Sequence, residues 1–214
     1  MTQTVSVLPL GYSSVEPGCV ASAVTCLEML ERPAGKLVSF PPGVVLAEFD
    51  RSNLALYRAL FRKVGQDWLW WSRLVMPDAA LRRILDDPRV EVFALRKDGE
   101  DVGLLELDFR DDGQCELAFF GLTAAAIGHG LGRSLMDAAT QRAWARPIRR
   151  FWVHTCSFDH PRALGFYIRA GFKPYAFQVE VQRDPRLTGH LPREAAPHVP
   201  LMDPAQSPAQ LPLP

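Results

Sequence analysis

A chain of 214 residues holds one domain with a real core, or one domain plus tails. It is 48% apolar and 22% charged with zero formal net charge; no basic stripe is visible, so nucleic acid is not the expected main partner. Cys19, Cys26, Cys115 and Cys156 show no zinc-ligand spacing, and neither a membrane span nor a cationic leader is present, so a reducing cytoplasm, no metal and no membrane partner are expected.

The first nineteen residues carry no firm signal. Val20 to Met29 is an apolar run that fits helix and strand alike, with a lean towards strand. Residues 1–43 therefore read as an N-terminal extension that could add one strand, closed by a Pro41-Pro42-Gly43 loop. Val44 to Phe49 suits a strand. Ser52 can cap a helix with Leu54, Tyr57, Leu60, Phe61 and Val64 on one face, and Gly65 ends it. Asp78 can cap a shorter helix carrying Leu81, Ile84 and Leu85. Three β-rich runs follow: Val90 to Leu95, Val102 to Phe109 and Gln114 to Leu122. Asp98-Gly99 and Asp112-Gly113 turns between them indicate an antiparallel meander.

Past Leu122 the apolar period becomes helical, with Leu131, Leu135, Ala138 and Ala139 on one face. Phe151 to Thr155 is then a strand parallel to its predecessor, reached by a right-handed crossover. In the next helix Asp159 or His160 caps, Pro161 suits the first turn and Gly171 terminates. Val179 and Val181 end a last strand. The expected fold is a mixed α/β domain over residues 44–183, a mostly antiparallel sheet with helices on both faces. From residue 184 to 214 prolines at 185, 192, 197, 200, 204, 208, 212 and 214 remove amide donors, so this segment is expected to be mostly disordered.

Two segments carry chemistry. Gly128-His-Gly-Leu-Gly132 joins a strand to a helix. Glycines allow positive φ and close approach of a diphosphate to backbone amides, and the helix start at Leu131, Gly132, Arg133 and Ser134 offers free N–H groups and a positive dipole end. His129 and Arg133 can add positive charge. The spacing is neither the Rossmann fingerprint nor a P-loop. Alone, three alternating glycines could equally form a tight loop packed under a helix. The second segment, His160-Pro-Arg-Ala-Leu-Gly-Phe-Tyr-Ile-Arg-Ala-Gly-Phe172, would place the Tyr167 phenol beside whatever the first one binds.

Together these segments resemble the GNAT superfamily of acyl-CoA-dependent N-acyltransferases. Ile127-Gly-His-Gly130-Leu-Gly132 matches its Arg/Gln-x-x-Gly-x-Gly/Ala motif, and residues 160–172 match its Asn-x-x-Ala-x-x-Phe-Tyr-x-x-x-Gly-Phe motif. Ile127 replaces Arg or Gln, and His160 replaces the Asn that contacts the cofactor arm. The resemblance implies acetyl-CoA as acyl donor, a splay between Phe119–Leu122 and Phe151–Thr155 that takes the pantetheine arm, and an oxyanion donor at the Leu122 N–H. It also implies Tyr167 as general acid. Glu116, read on one strand face with Ala118, Phe120 and Leu122, is the candidate base, its pKa raised by apolar neighbours. A solvated strand-end glutamate and an amphipathic core tyrosine are the plainer readings of these two.

Trp68, Trp70 and Trp71 could wall an acceptor site, or Trp68 and Trp71 could be core. His154, Cys156 and Asp159 could also face the acceptor. The resulting expectation is an acetyl-CoA-dependent N-acetyltransferase acting on a small primary amine by direct attack. A non-catalytic acyl-CoA sensor, or an enzyme modifying protein lysines or N-termini, is the alternative. A homodimer is left open.

Overall fold

The computed structural model describes residues 7–34 and 39–206. They form a sheet of seven strands: β1 (Cys19–Met29), β2 (Val44–Glu48), β3 (Val90–Lys97), β4 (Glu100–Asp108), β5 (Gln114–Leu122), β6 (Arg150–Cys156) and β7 (Lys173–Arg183). Their order is β2-β3-β4-β5-β6-β1-β7, and β5–β6 is the parallel pair in an otherwise antiparallel sheet. The meander follows from its turns. Asp98 and Gly99 both have positive φ, 50° and 87°, as a two-residue hairpin loop between β3 and β4 requires.

Each face of the sheet has its own core. On one lie α1 (Leu54–Gly65), α2 (Ser72–Val75) and α3 (Asp78–Leu85), with Tyr57, Phe61, Leu81 and Leu85 fully buried. On the other lie α4 (Leu131–Ala143) and α5 (Ala163–Arg169), packed through Leu135, Ala139, Phe151 and Phe172. Helix starts differ from expectation by a residue or more. Asn53, not Ser52, caps α1, its Oδ1 accepting from the Ala55 and Leu56 N–H groups at 3.1 Å each. Asp78 is the first residue of α3 rather than its cap, and α5 begins only at Ala163, after His160 and Pro161.

The termini differ more. The run Val20–Met29 is a strand, and it lies inside the sheet between β6 and β7. Its buried and exposed positions alternate along most of its length, as in a half-buried strand, until a register shift at Cys26/Leu27. Residues 184–206 were expected to be mostly disordered, yet Leu191, Ala195, Ala196 and Val199 pack into the α1-side core. Arg186, 4% exposed, is the reason. A proline-rich loop has carbonyls without matching amide donors, and this guanidinium donates to the carbonyls of Ala195, Val199 and Pro200 at 3.2, 2.8 and 3.2 Å. Its charge is met by Asp184 at 2.7 Å, which is 1% exposed. Pro208, Pro212 and Pro214 lie outside the described residues.

Candidate active site

Pairing between β5 and β6 stops early. Gln114 to Glu116 align with Arg150 to Trp152, and beyond them the two strands part. Leu117–Leu122 and Val153–Cys156 therefore face each other without a ladder, and a cavity of about 720 Å³ opens through the gap. Its two ends are built differently.

At the α4 end the cavity is lined by Gly128, Gly130, Gly132 and Arg133. Gly128 and Gly130 have φ of 91° and 76°, and a Cβ at either would meet nothing within 4 Å, so the turn presents bare backbone to open space. Gly130 is the left-handed cap of α4, whose first-turn amides follow it. Arg133 is exposed, and its Nε lies 3.4 Å from Asp137 Oδ1. His129 is exposed and Leu131 is buried in the core; neither side chain lines the cavity, nor does that of Ser134. Tyr167 does line it, 7% exposed, ringed by Phe120, Phe166 and Phe172, and burial pushes its phenol pKa well up. A neutral phenol that holds its proton can donate but not act as a base. His160 lines the cavity too. Its Nδ1 accepts from the Arg162 N–H at 3.1 Å, which leaves the proton on Nε2 as a free donor.

At the α1 end a bulge rearranges the strand. Glu106 pairs with Phe119 and Leu107 with Leu117, so Ala118 is the extra residue of β5. The bulge changes the parity. Phe120 and Leu122 pack on the α4 side, whereas Glu116 faces Asp108 and shares its face with Phe119. Glu116 is thus not on the face of Phe120 and Leu122, as strict alternation predicts. It lines the cavity, and its Oε1 lies 3.7 Å from His154 Nδ1. Burial, then Asp108, pushes its pKa up to about 7. Its side chain stays 27% exposed, so a proton can leave it.

Beneath Glu116 lies a charged core. Arg73 Nη2 donates to Glu106 Oε1 at 2.6 Å, and the Tyr57 hydroxyl donates to Oε2 at 2.5 Å. Glu106 is fully buried and Arg73 is 8% exposed. Burial alone would lower the Arg73 pKa, but Glu106 opposite it outweighs that and holds the guanidinium charged. Asp108 is likewise paired with Arg110, at 2.5 Å. Glu116 is the carboxylate of this group that no arginine neutralises directly. Trp68, Trp70 and Trp71 all line the cavity. Trp70 is the core member, packed on Phe61 and Phe119. Gly121 makes room for it: a Cβ there would sit 2.6 Å from Val64 Cγ1 and 3.0 Å from Trp70 Cη2. Asp159 ties the ends together, accepting from Thr155 Oγ1 at 2.7 Å, the Cys156 N–H at 2.9 Å and Trp70 Nε1 at 3.4 Å.

The model of the acetyltransferase (GNAT) family matches residues 55–172, more than half of the chain. The chain belongs to the GNAT acetyltransferase family. Solved structures agree in fold. A GCN5-related N-acetyltransferase from Sphaerobacter thermophilus superposes with a TM-score of 0.57 at 15% identity, covering 78% of this chain and 52% of its own. A putative GNAT-family acetyltransferase from Novosphingobium aromaticivorans gives 0.55 at 15%, covering 79% and 68%. A GCN5-related N-acetyltransferase from Kribbella flavida gives 0.51 at 22%, covering 80% and 63%. The chain thus spans roughly half to two-thirds of the length of these structures. No curated protein matches the sequence.

Within this GNAT cavity the structure brings together Tyr167, Glu116, His154, His160, Leu122, Trp68, Trp71 and the three glycines. Sequence reasoning missed Arg73, Glu106, Asp108 and Tyr57. A strand segment reading Leu104-Leu-Glu-Leu-Asp108, with two carboxylates on one face of an otherwise apolar run, was the available signal. Among the described residues no helix is long and apolar enough to cross a membrane.

Proposed function

We propose that this GNAT acetyltransferase moves an acetyl group from acetyl-CoA to a primary amine by direct attack. The observation that carries the reading is one cavity reaching Gly128 and Gly130 at one end, Glu116 at the other, and Tyr167. The residues present suit acetyl-CoA. Bare left-handed glycines ahead of α4 leave space for a diphosphate, Arg133 supplies charge, and the unladdered edges of β5 and β6 can hydrogen-bond an amide-bearing arm as a missing strand would.

The acyl donor supplies an activated thioester; the rest is the work of this chain's own groups. An alkylammonium must lose a proton before its nitrogen can attack, and Glu116, with a pKa of about 7, is placed to take it. The Leu122 N–H, at the end of β5, is the donor for charge developing on the carbonyl oxygen. As the C–N bond forms and the C–S bond breaks, the nitrogen loses its second proton to Glu116, which has passed the first to solvent, while Tyr167 gives its proton to the departing thiolate and is reprotonated from solvent. No cysteine nucleophile is needed, and burial raises the Cys156 thiol to about 11, away from the thiolate.

The test is thiol release from acetyl-CoA across a panel of amines between pH 5 and 9. Amine-dependent release that rises with a midpoint near 7 is expected. Tight coenzyme A binding with no release on any acceptor would instead support a non-catalytic binder, which the apolar Ile127 at the cavity edge favours.

A further inference from the structure

Trp68 stands between two imidazoles. His160 is 5.3 Å from it, centroid to centroid, and His198 is 5.7 Å away. His198 comes from the proline-rich segment and is absent from the cavity lining, whereas Trp68 and Phe158 belong to it. The ring of His198 is pinned. Its Nε2 lies 2.9 Å from the Phe158 carbonyl oxygen, and since a carbonyl only accepts, Nε2 carries the proton. One side chain therefore holds two lining residues, one by ring contact and one by a hydrogen bond.

The segment around His198 is itself bolted down. Arg186 donates to the Ala195 and Ala196 carbonyls before it and to those of Val199 and Pro200 after it, while Asp184 takes the remaining charge. Val199 and Ala196 are buried beside it in the α1-side core. The buried ion pair costs desolvation, which its hydrogen bonds to these carbonyls offset, and it fixes the path of the loop on both sides of His198. The lining residue it fixes is an indole whose other ring neighbour is His160, also in the cavity wall.

We propose that residues 184–200 set acceptor specificity, with His198 as a positioning residue for Trp68 and Arg186 as the residue that positions His198. The apolar wall of Trp68, Trp71 and Phe158 suits a primary amine carried on a compact aromatic or aliphatic body. The specificity part of this proposal rests on the acetyl-transfer reading; the positioning part does not.

Two readouts keep those parts distinct. Acrylamide quenching of tryptophan emission is measured for the wild type, Trp68→Phe, His198→Ala and His198→Phe; the difference from Trp68→Phe isolates the Trp68 signal. His198→Ala is expected to raise quenching of Trp68 at least twofold, and His198→Phe, which keeps a ring there, to restore much of the protection. Thiol release is then compared for 2-phenylethylamine and propylamine. His198→Ala should reduce the preference between them at least fivefold while the KM for acetyl-CoA stays within twofold. Arg186→Met should act in the same direction, and if it does not fold the His198 variants decide alone. Unchanged Trp68 quenching overturns the positioning role. Changed quenching with an unchanged amine preference, or an equal rise in both amine and acetyl-CoA KM, overturns the specificity role. A wild type that transfers to neither amine removes these acceptors and the specificity role with them, and leaves positioning to be judged by quenching.

Discussion

The two ends of the cavity solve different problems with different materials. The α4 end uses backbone: two left-handed glycines, a helix start and one arginine. It is assembled from residues 127–133 and 160–167, two short stretches of chain. The α1 end uses side chains, namely the Arg73–Glu106–Tyr57 core, Glu116, three tryptophans and the His198 brace. Those come from segments far apart in the chain. A backbone site can be altered with little effect on the rest of the fold, whereas the α1 end shares its groups with the core. Substitutions at the α4 glycines should therefore move donor affinity with only a local strain cost, and those at the α1 end should move stability and acceptor handling together.

The largest break in that contrast is expected at Glu106. Glu106→Ala leaves the buried Arg73 charge without its partner, which typically costs about 3–5 kcal/mol, read by denaturant unfolding. Replacing both members, Arg73→Met with Glu106→Leu, should recover the part of the loss due to the orphaned charge, leaving about 1–3 kcal/mol for the buried Tyr57 hydroxyl that loses its acceptor. A Glu106→Ala protein as stable as the wild type would mean that the α1 end is not anchored through this pair.

Glu116 comes next, and it separates chemistry from stability. Glu116→Gln should lower kcat/KM by about 10²-fold and remove the rise in rate centred near pH 7. Its effect on stability has the opposite sign. The folded pKa, about 7, lies above the ordinary 4.5, so between those values the folded protein keeps a proton that the unfolded chain has lost. Stability contributed by this group is therefore full below about pH 4.5 and falls as pH rises towards 7. Glu116→Gln cannot ionise, so it should melt higher than the wild type at pH 8 and nearly equal to it at pH 4. A Tm gain that does not depend on pH would show that burial is not what shifts this carboxyl.

Tyr167 belongs to the α4 end by its neighbours but, on the proposed function, serves the reaction. Tyr167→Phe should lower kcat by at least roughly tenfold with coenzyme A affinity little changed, because phenylalanine keeps the contacts to Phe120, Phe166 and Phe172. Equilibrium binding beside single-turnover rates checks this. An equal loss in both would make Tyr167 a packing residue.

The same contrast explains what could be read in advance. The geometry of the α4 end is legible because contiguous glycines mark its turn and the helix start, and the strand limits of β5 match the sequence pattern to the residue. At the α1 end, residue type marks Glu116 and the tryptophans, which line the cavity, but strict alternation puts Glu116 on the wrong face. A bulge at Ala118 has no composition signal, and one extra residue reverses every side chain beyond it. The place of β1 between β6 and β7 was illegible for another reason: pairing partners far away in sequence leave no mark in either strand alone. In the proline-rich segment, composition argued for disorder and one buried arginine reversed it, since it replaces the donors that proline removes.

The smallest effect is the sharpest test of the backbone end. Gly130→Ala introduces a Cβ with nothing within 4 Å, so no packing is lost, but a left-handed φ of 76° costs an L-residue about 1–2 kcal/mol. That methyl would project into the open space where the proposed function puts the diphosphate. The KM for acetyl-CoA should rise several-fold, with kcat at saturation and amine preference unchanged. Gly132→Ala is the matched comparison. It lies inside α4, where alanine is favoured by up to about 1 kcal/mol, and its Cβ would meet Leu122 Cδ1 at 3.8 Å, an ordinary contact. If the two variants differ in KM as their Cβ directions differ, the turn is a cradle shaped for an anion. If both only lower the Tm and leave acetyl-CoA binding alone, the glycines serve the chain's path into α4, and the donor must be held elsewhere along the gap.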